Sequence, residues 1–345
     1  MSSQPTVKPI AGCKALDGCH CVTSSFKKIC AFNSFNISEE MLFGLGAGLG
    51  FMYWYQRGSL PFFGGRGNAR NFHQDIAARI DIEIVEHETN SRKRAERELL
   101  RMLDAGQPVC VYADMAYLTY LGLPENAHFG GHLIVVAGYD ATTNEVLIAD
   151  IEPKMTCVKT GHFYTLPLER LAQARASKHQ PFPPKNHWFT FDFSNAHPPE
   201  RAAVYAAIDQ TTQGMLNPPI KNLGVAGIRK AATRVRQWPT QFDAQTLRAA
   251  LFNTYVYIEI GGTGGGLFRY LYSRFLAEAA TLTNDPTLRA ASNAVLACAE
   301  RWRELAQPFD KAFELDDPIG RLPDLINRLE QIAQLEETAW QMLKR

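Results

Sequence analysis

The feature that most constrains this chain is a change of pattern at His197, Pro198 and Pro199. Every short run of Val, Ile, Tyr and Phe that reads as a strand lies before it, at 81–85, 109–112, 133–139, 145–151, 162–166 and 187–193. Each run is bounded by turn or polar residues, as strands are. Beyond it, apolar residues recur at helical spacing near 200–210, 220–237, 243–260, 265–283, 286–306 and 320–344. Pro239, Pro286 and Pro308 are the expected stops. The pattern predicts an α+β domain over 1–196, built on an antiparallel sheet, followed by an all-α domain over 197–345.

Local signals sharpen this reading. Between the first two β runs, Ser91–Ala105 carries Leu99, Leu100 and Leu103 among Arg and Glu. Ser91 suits an N-cap and Gly106 a C′ position, so the segment reads as an amphipathic helix. The polar turn Asp140–Asn144 joins two β runs and predicts an antiparallel hairpin over 133–151. Pro181, Pro183 and Pro184 mark a loop before the last strand.

Composition excludes several function classes. The chain has 345 residues, 46% of them hydrophobic, enough for two cores. Lys plus Arg number 36 against 35 Asp plus Glu, a formal net charge of +1. That balance leaves no footprint for nucleic acid or an anionic membrane. The uncharged stretch Met41–Gln56 is too short and Gly-rich to span a bilayer. No basic start with an apolar run marks a signal peptide. Seven cysteines without a disulfide-type spacing fit a reducing cytoplasm. Cys13, Cys19, His20 and Cys21 cluster, yet lack a Cys-x-x-Cys pair and a second ligand pair, so no metal is expected.

The chemistry starts at Cys21. Phe26, Ile29, Cys30 and Phe32 follow it at helical spacing, which puts Cys21 at or just before a helix N-terminus. Unpaired N–H groups and the helix dipole there lower a thiol's pKa. Taken alone, a cysteine there is more often a small buried hydrophobe than a nucleophile. His132 opens one strand of the expected hairpin and Asp150 ends the other, so the two lie close at its open end. A carboxylate there fixes the imidazole tautomer and stabilises the imidazolium once it has taken a thiol proton. Cysteine, then histidine on a strand, then an acid on the next strand is the papain-type order.

Other residues are weighed against structural roles. Gly44, Gly46, Gly48 and Gly50 follow no strand of a βαβ unit, which argues against a phosphate loop. They are expected to let the backbone pass close to Cys21 or to a bound acyl chain, with Gly46 in the binding set. Ser38, Glu39 and Glu40 mark a helix start, where Glu40 is a dipole partner or a substrate contact. Asp114 follows a strand, with Tyr117 and Tyr120 just after. Asp114 and Tyr117 could line an amine-acceptor pocket, or Asp114 could cap a turn, and His128 would support His132. Glu259 and Arg269 flank the helix break Gly261–Gly266. They could hold an anionic substrate group, or form an ion pair between helices.

The His20-Cys21 pair, the run 37–51 with its glycines, and Gly131, His132, Gly138, Tyr139, Asp140 and Asp150 resemble the N-terminal domain of the butirosin biosynthesis protein H family. The hairpin is also similar to the His–Asp segment of bacteriocin-leader peptidase domains. The stretch 258–279 resembles the helical domain that accompanies that family's N-terminal domain, so the resemblance spans about 15–345. It implies a papain-like fold and a cysteine acyltransferase that moves an acyl group from an acyl carrier protein to an amine in natural-product biosynthesis. Cys21 would be the nucleophile, His132 the base and Asp150 the orienting acid. No resident cofactor is implied, phosphopantetheine entering only with the carrier substrate. The helical domain is expected to cover the cleft and keep water out. A Gln about six residues before the cysteine, usual in papain-type enzymes, is missing; Lys14, Ala15 and Leu16 occupy that neighbourhood. The rival readings are a hydrolase using the same triad, and a degenerate peptidase fold that only binds.

Overall fold

A computed structural model describes residues 7–152 and 159–345. In chain order the elements are α1 (Cys21–Phe32), α2 (Glu39–Leu45), β1 (Leu49–Trp54), β2 (Phe62–Arg66), α3 (Phe72–Ile80), β3 (Glu83–His87) and α4 (Arg92–Asp104). Then come β4 (Val109–Ala113), β5 (His132–Asp140), β6 (Glu145–Ile151), β7 (Gly161–Pro167), α5 (Leu168–Ala176) and β8 (Trp188–Asp192). The helices α6 (Arg201–Leu216), α7 (Gly224–Val235), α8 (Trp238–Gln241), α9 (Ala244–Tyr255), α10 (Arg269–Thr283), α11 (Pro286–Ala306) and α12 (Leu322–Gln341) complete the chain. The fold is mixed α and β, with antiparallel sheets and a helical C-terminal region. No helix among the described residues is long and apolar enough to cross a membrane.

The chain divides into two compact units, and the division is not a single cut. One unit takes residues 7–42, 80–152 and 159–198. The other takes 43–79 and 199–345.

The first unit is built on a six-stranded sheet ordered β3-β8-β4-β5-β6-β7. Alternation decides its faces. Val109, Val111, Ala113, Ile134, Val136, Val146 and Ile148 point one way, into a core closed by Leu99 and Met102 of α4 and Leu168 and Leu171 of α5. The other face receives α1, whose Phe26 meets Phe189 and Phe191 edge-on at 5.6 and 5.2 Å. Ser91 caps α4, accepting from Arg94 N at 3.3 Å. The β5–β6 hairpin pairs Val135 with Ala149 and Asp140 with Glu145, with a register shift between Val136 and Gly138.

In the second unit, β1 and β2 form a hairpin held by helices from far downstream. Tyr53 and Asn222 exchange backbone and side-chain hydrogen bonds at 2.9 Å. Trp238 Nε1 donates to Tyr53 Oη, and Phe51 stacks on Trp302 at 5.5 Å. The sequence carries no strand signal there, because a continuous apolar run with glycines has no period to read. Pro286 opens α11 instead of closing the helix before it. Asn284, with a left-handed φ of 51°, ends α10, and Asp285 caps α11.

Arg269 lies at the centre of this unit. It is fully buried and paired through Nε with Glu336 at 2.6 Å, and it donates to Gly50 O and Leu267 O. Trp302 and Trp340 also donate to Glu336, each at 2.7 Å. Its guanidinium is therefore enclosed in the core, held through Nε and Nη1, which corrects the expectation of a substrate contact. Its carboxylate partner is Glu336, not Glu259. Arg269→Met leaves a buried carboxylate without its cation and is expected to cost about 3–5 kcal/mol, read from urea denaturation.

Candidate active site

Cys21 is the first residue of α1, with His20 as N-cap. The loop before it is held by Glu39, the first residue of α2. The buried Glu39 carboxylate accepts from Cys19 N, His20 N and Thr23 Oγ1, each at 2.8 Å. Burial outweighs these bonds and holds the Glu39 carboxyl above its ordinary range. Gly18 is required here, since a Cβ would come within 2.3 Å of Ser24 Cβ. The sequence singled out Glu40, but Glu39 is the residue that reaches the loop. Which of two adjacent acids faces inward depends on the phase of α2, which no local signal fixes. Glu39→Ala leaves three donors unpaired and is expected to cost about 2 kcal/mol or more, measured as a lowered melting temperature.

From the sheet side, His132 opens β5 and Asp150 lies near the end of β6. His132 Nε2 and Asp150 Oδ2 are 2.7 Å apart. Asp150 also accepts from Tyr120 Oη at 2.9 Å and from Ile151 N at 2.8 Å. Tyr120 is set in place by stacking on Tyr164, centroids 4.2 Å apart. With Nε2 committed to Asp150, Nδ1 is the ring nitrogen left for sulphur. The His132 side chain hydrogen-bonds Cys21, and the Leu133 N–H donates to the same sulphur. Ser25 Oγ donates to Leu133 O at 3.0 Å, fixing the first turn of α1 to β5. The structure thus brings Cys21, His132 and Asp150 into one hydrogen-bonded line.

Electrostatics follow that line. Burial opposes charge on Cys21, yet the His132 bond and charge, with the Leu133 N–H, hold the thiol below its ordinary value. Burial likewise disfavours an imidazolium, but Asp150 and Cys21 outweigh it and push His132 up to about 10. Asp150 is held low, its burial offset first by His132 and then by Lys28. Lys28, one turn further along α1 than Ser24, is buried, its Nζ reaching Ser24 O and Oγ at 3.3 and 3.2 Å. Cys13 and Cys30 go the other way, pushed by burial to about 11 and about 12, and burial also raises Cys110 and Cys298. Cys157 lies outside the described residues. Among the described residues no group of His, Cys, Asp or Glu comes together to hold a metal ion.

The remaining sequence candidates have other partners. Asp114 is fully buried, accepting from Ser177 Oγ at 2.6 Å, Ala116 N at 3.2 Å and Phe129 N at 3.0 Å, with His128 Nδ1 at 2.9 Å. Both oxygens are engaged, so Asp114 anchors the loop ahead of His132 and offers nothing to an amine. Tyr117 lines an open cavity of about 400 Å³ with Arg92, Gln173, Ser177, Lys178 and His179. Cys21, His132 and Asp150 do not line it. Gly46 packs against Phe72, whose ring would lie 2.3 Å from an added Cβ, so its small size serves aromatic packing within the second unit. Glu259 accepts from Gly266 N at 2.8 Å and pairs with Arg303 at 3.5 Å. Glu40 is a half-buried residue of α2. Sequence reading missed the roles of Glu39, which holds the loop ahead of Cys21, and of Lys28, whose charge acts on Asp150; neither carries a motif.

Two family models match the chain. The model described as butirosin biosynthesis protein H, N-terminal, matches residues 20–151, which include Cys21, His132 and Asp150. A domain of unknown function, DUF4872, matches residues 169–343, the greater part of the helical region. No curated protein matches the sequence. The two matches in this order reproduce the two-domain architecture of one family, and this chain belongs to it: the butirosin biosynthesis protein H family.

Proposed function

We propose that the protein is a cysteine-dependent acyltransferase with a papain-like catalytic unit, acting in natural-product biosynthesis. It moves an acyl group from a carrier-protein thioester to an amine. The observation that carries this reading is the line from Cys21, at a helix N-terminus, through His132 to Asp150 at 2.7 Å. A thiolate beside an imidazolium is a nucleophile at neutral pH, and the family name points to antibiotic biosynthesis.

In the first half-reaction Cys21 Sγ attacks the thioester carbonyl, forming a C–S bond as the carbonyl pair moves to oxygen. Collapse breaks the bond to the pantetheine sulphur, which takes the proton held by His132. An amine then attacks the acyl-Cys21 carbonyl and gives its proton to His132, and Cys21 leaves as thiolate. One thioester becomes another, so acylation is close to isoenergetic and needs no resident cofactor. Asp150 holds the imidazole in one orientation through both halves.

Intact-mass spectrometry with acyl-pantetheine thioesters, with and without amines, tests this reading. The expected result is an acyl adduct on Cys21 that persists without amine and becomes an amide when amine is added. Free acid as the sole product at every amine concentration would replace transfer by hydrolysis. The lack of any thiol-dependent reaction would leave a binding protein.

A further inference from the structure

A tetrahedral intermediate at Cys21 places a full negative charge on the former carbonyl oxygen, and donors must already be aimed there. Most N–H groups around the start of α1 are committed elsewhere. Gly18 N donates to Lys159 O, Cys19 N and His20 N to Glu39, Thr23 N to His20 Nδ1, and Ser24 N to His20 O. The Cys21 N–H, at the open end of the helix, has no acceptor among the described residues. A single neutral donor is a weak oxyanion site.

The second donor comes from across the loop. Lys159 and Gly18 form an antiparallel bridge, with Gly18 N to Lys159 O at 3.0 Å and Lys159 N to Gly18 O at 2.8 Å. This fixes Lys159 opposite the residues that lead into Cys21. Lys159 is half-buried, and burial holds its ammonium below the ordinary lysine range against the opposing charges of Cys21, Asp150, Cys19 and Glu152. Among the described residues the ammonium makes no hydrogen bond or ion pair. An ammonium drawn part-way out of water without an acceptor is compensated when an anion forms beside it. We propose that Lys159 completes the oxyanion site, its ammonium donating to the oxygen of the tetrahedral intermediates while keeping its own proton. The inference rests on the acyl-transfer reading and names a catalytic group for it.

The test compares wild type with Lys159→Met and Lys159→Arg in two reactions at Cys21. Acylation by an acyl-pantetheine thioester passes through an oxyanion, whereas alkylation by iodoacetamide at a saturated carbon does not. Lys159→Met is expected to slow acylation about 100-fold while alkylation stays within about 2-fold, and Lys159→Arg to recover most of the rate. Unchanged alkylation also shows that the variant is folded around Cys21. Acylation of Lys159→Met at the wild-type rate overturns the proposal, as does a parallel fall in both reactions, which would make Lys159 a partner of the thiolate. Wild type that is alkylated at Cys21 but never acylated overturns the acyl-transfer reading itself, and this inference with it.

Discussion

Cys21→Ala is expected to abolish acyl-adduct formation and to lower turnover by ~10⁴-fold or more, with the fold intact. The structure separates the two effects. Cys21 is half-buried and contributes no capping bond, since His20 is the N-cap and Glu39 holds Cys19, His20 and Thr23. Alanine is a good helix former at that position. Intact mass and a thermal melt check both parts. Cys110→Ala is the contrasting control: its side chain is fully buried in β4, so the melt should fall while the adduct remains. An adduct of equal yield in Cys21→Ala would move the nucleophile elsewhere and sink the mechanism.

Asp150→Asn is expected to lower turnover ~10³- to 10⁴-fold and to move the alkaline limb of the pH profile downward. Asp150 is what raises His132 from an ordinary 6.5 to about 10 against its burial. In wild type the imidazolium, and the proton it gives to the leaving sulphur, therefore persists until the pH approaches about 10. Without the carboxylate charge, burial dominates and the proton is lost at lower pH. Linkage has the same sign: stability from this raised histidine is fully present below 6.5 and is lost as pH rises toward about 10. Asparagine also brings two donors to a position that now accepts from Tyr120 Oη and Ile151 N, so about 1–3 kcal/mol of stability should go with it. A pH profile of acylation that keeps its alkaline limb in Asp150→Asn would contradict this account of His132.

What the sequence made legible was local. Strand alternation and the turn at Asp140–Asn144 mark β5 and β6, and so the approach of His132 to Asp150. The apolar spacing after Cys21 marks the start of α1, and Ser91 marks the start of α4. Contacts across long separations were not legible. Arg269 beside a glycine-rich break looks like a ligand contact, and the carboxylate that claims it lies 67 residues on. Asp114 looks like a pocket acid because Ser177, which helps to saturate it, lies 63 residues away. Strands β1 and β2 went unread because their glycine-rich apolar run has no period, and the helices that cover them lie beyond residue 199.

That last arrangement bears on how the protein is made. Gly50 O is claimed by Arg269, 219 residues downstream, and Tyr53 by Trp238, 185 residues downstream. On the ribosome the hairpin with Phe51, Tyr53 and Phe63 emerges long before the helices that bury it. The nascent chain must carry it as an unfinished apolar segment until those helices have been made. The segment 20–151 expressed alone, or any truncation between α5 and α7, keeps that hairpin and loses its cover. Such fragments are therefore expected to aggregate, whatever chemistry Cys21 performs in the whole chain.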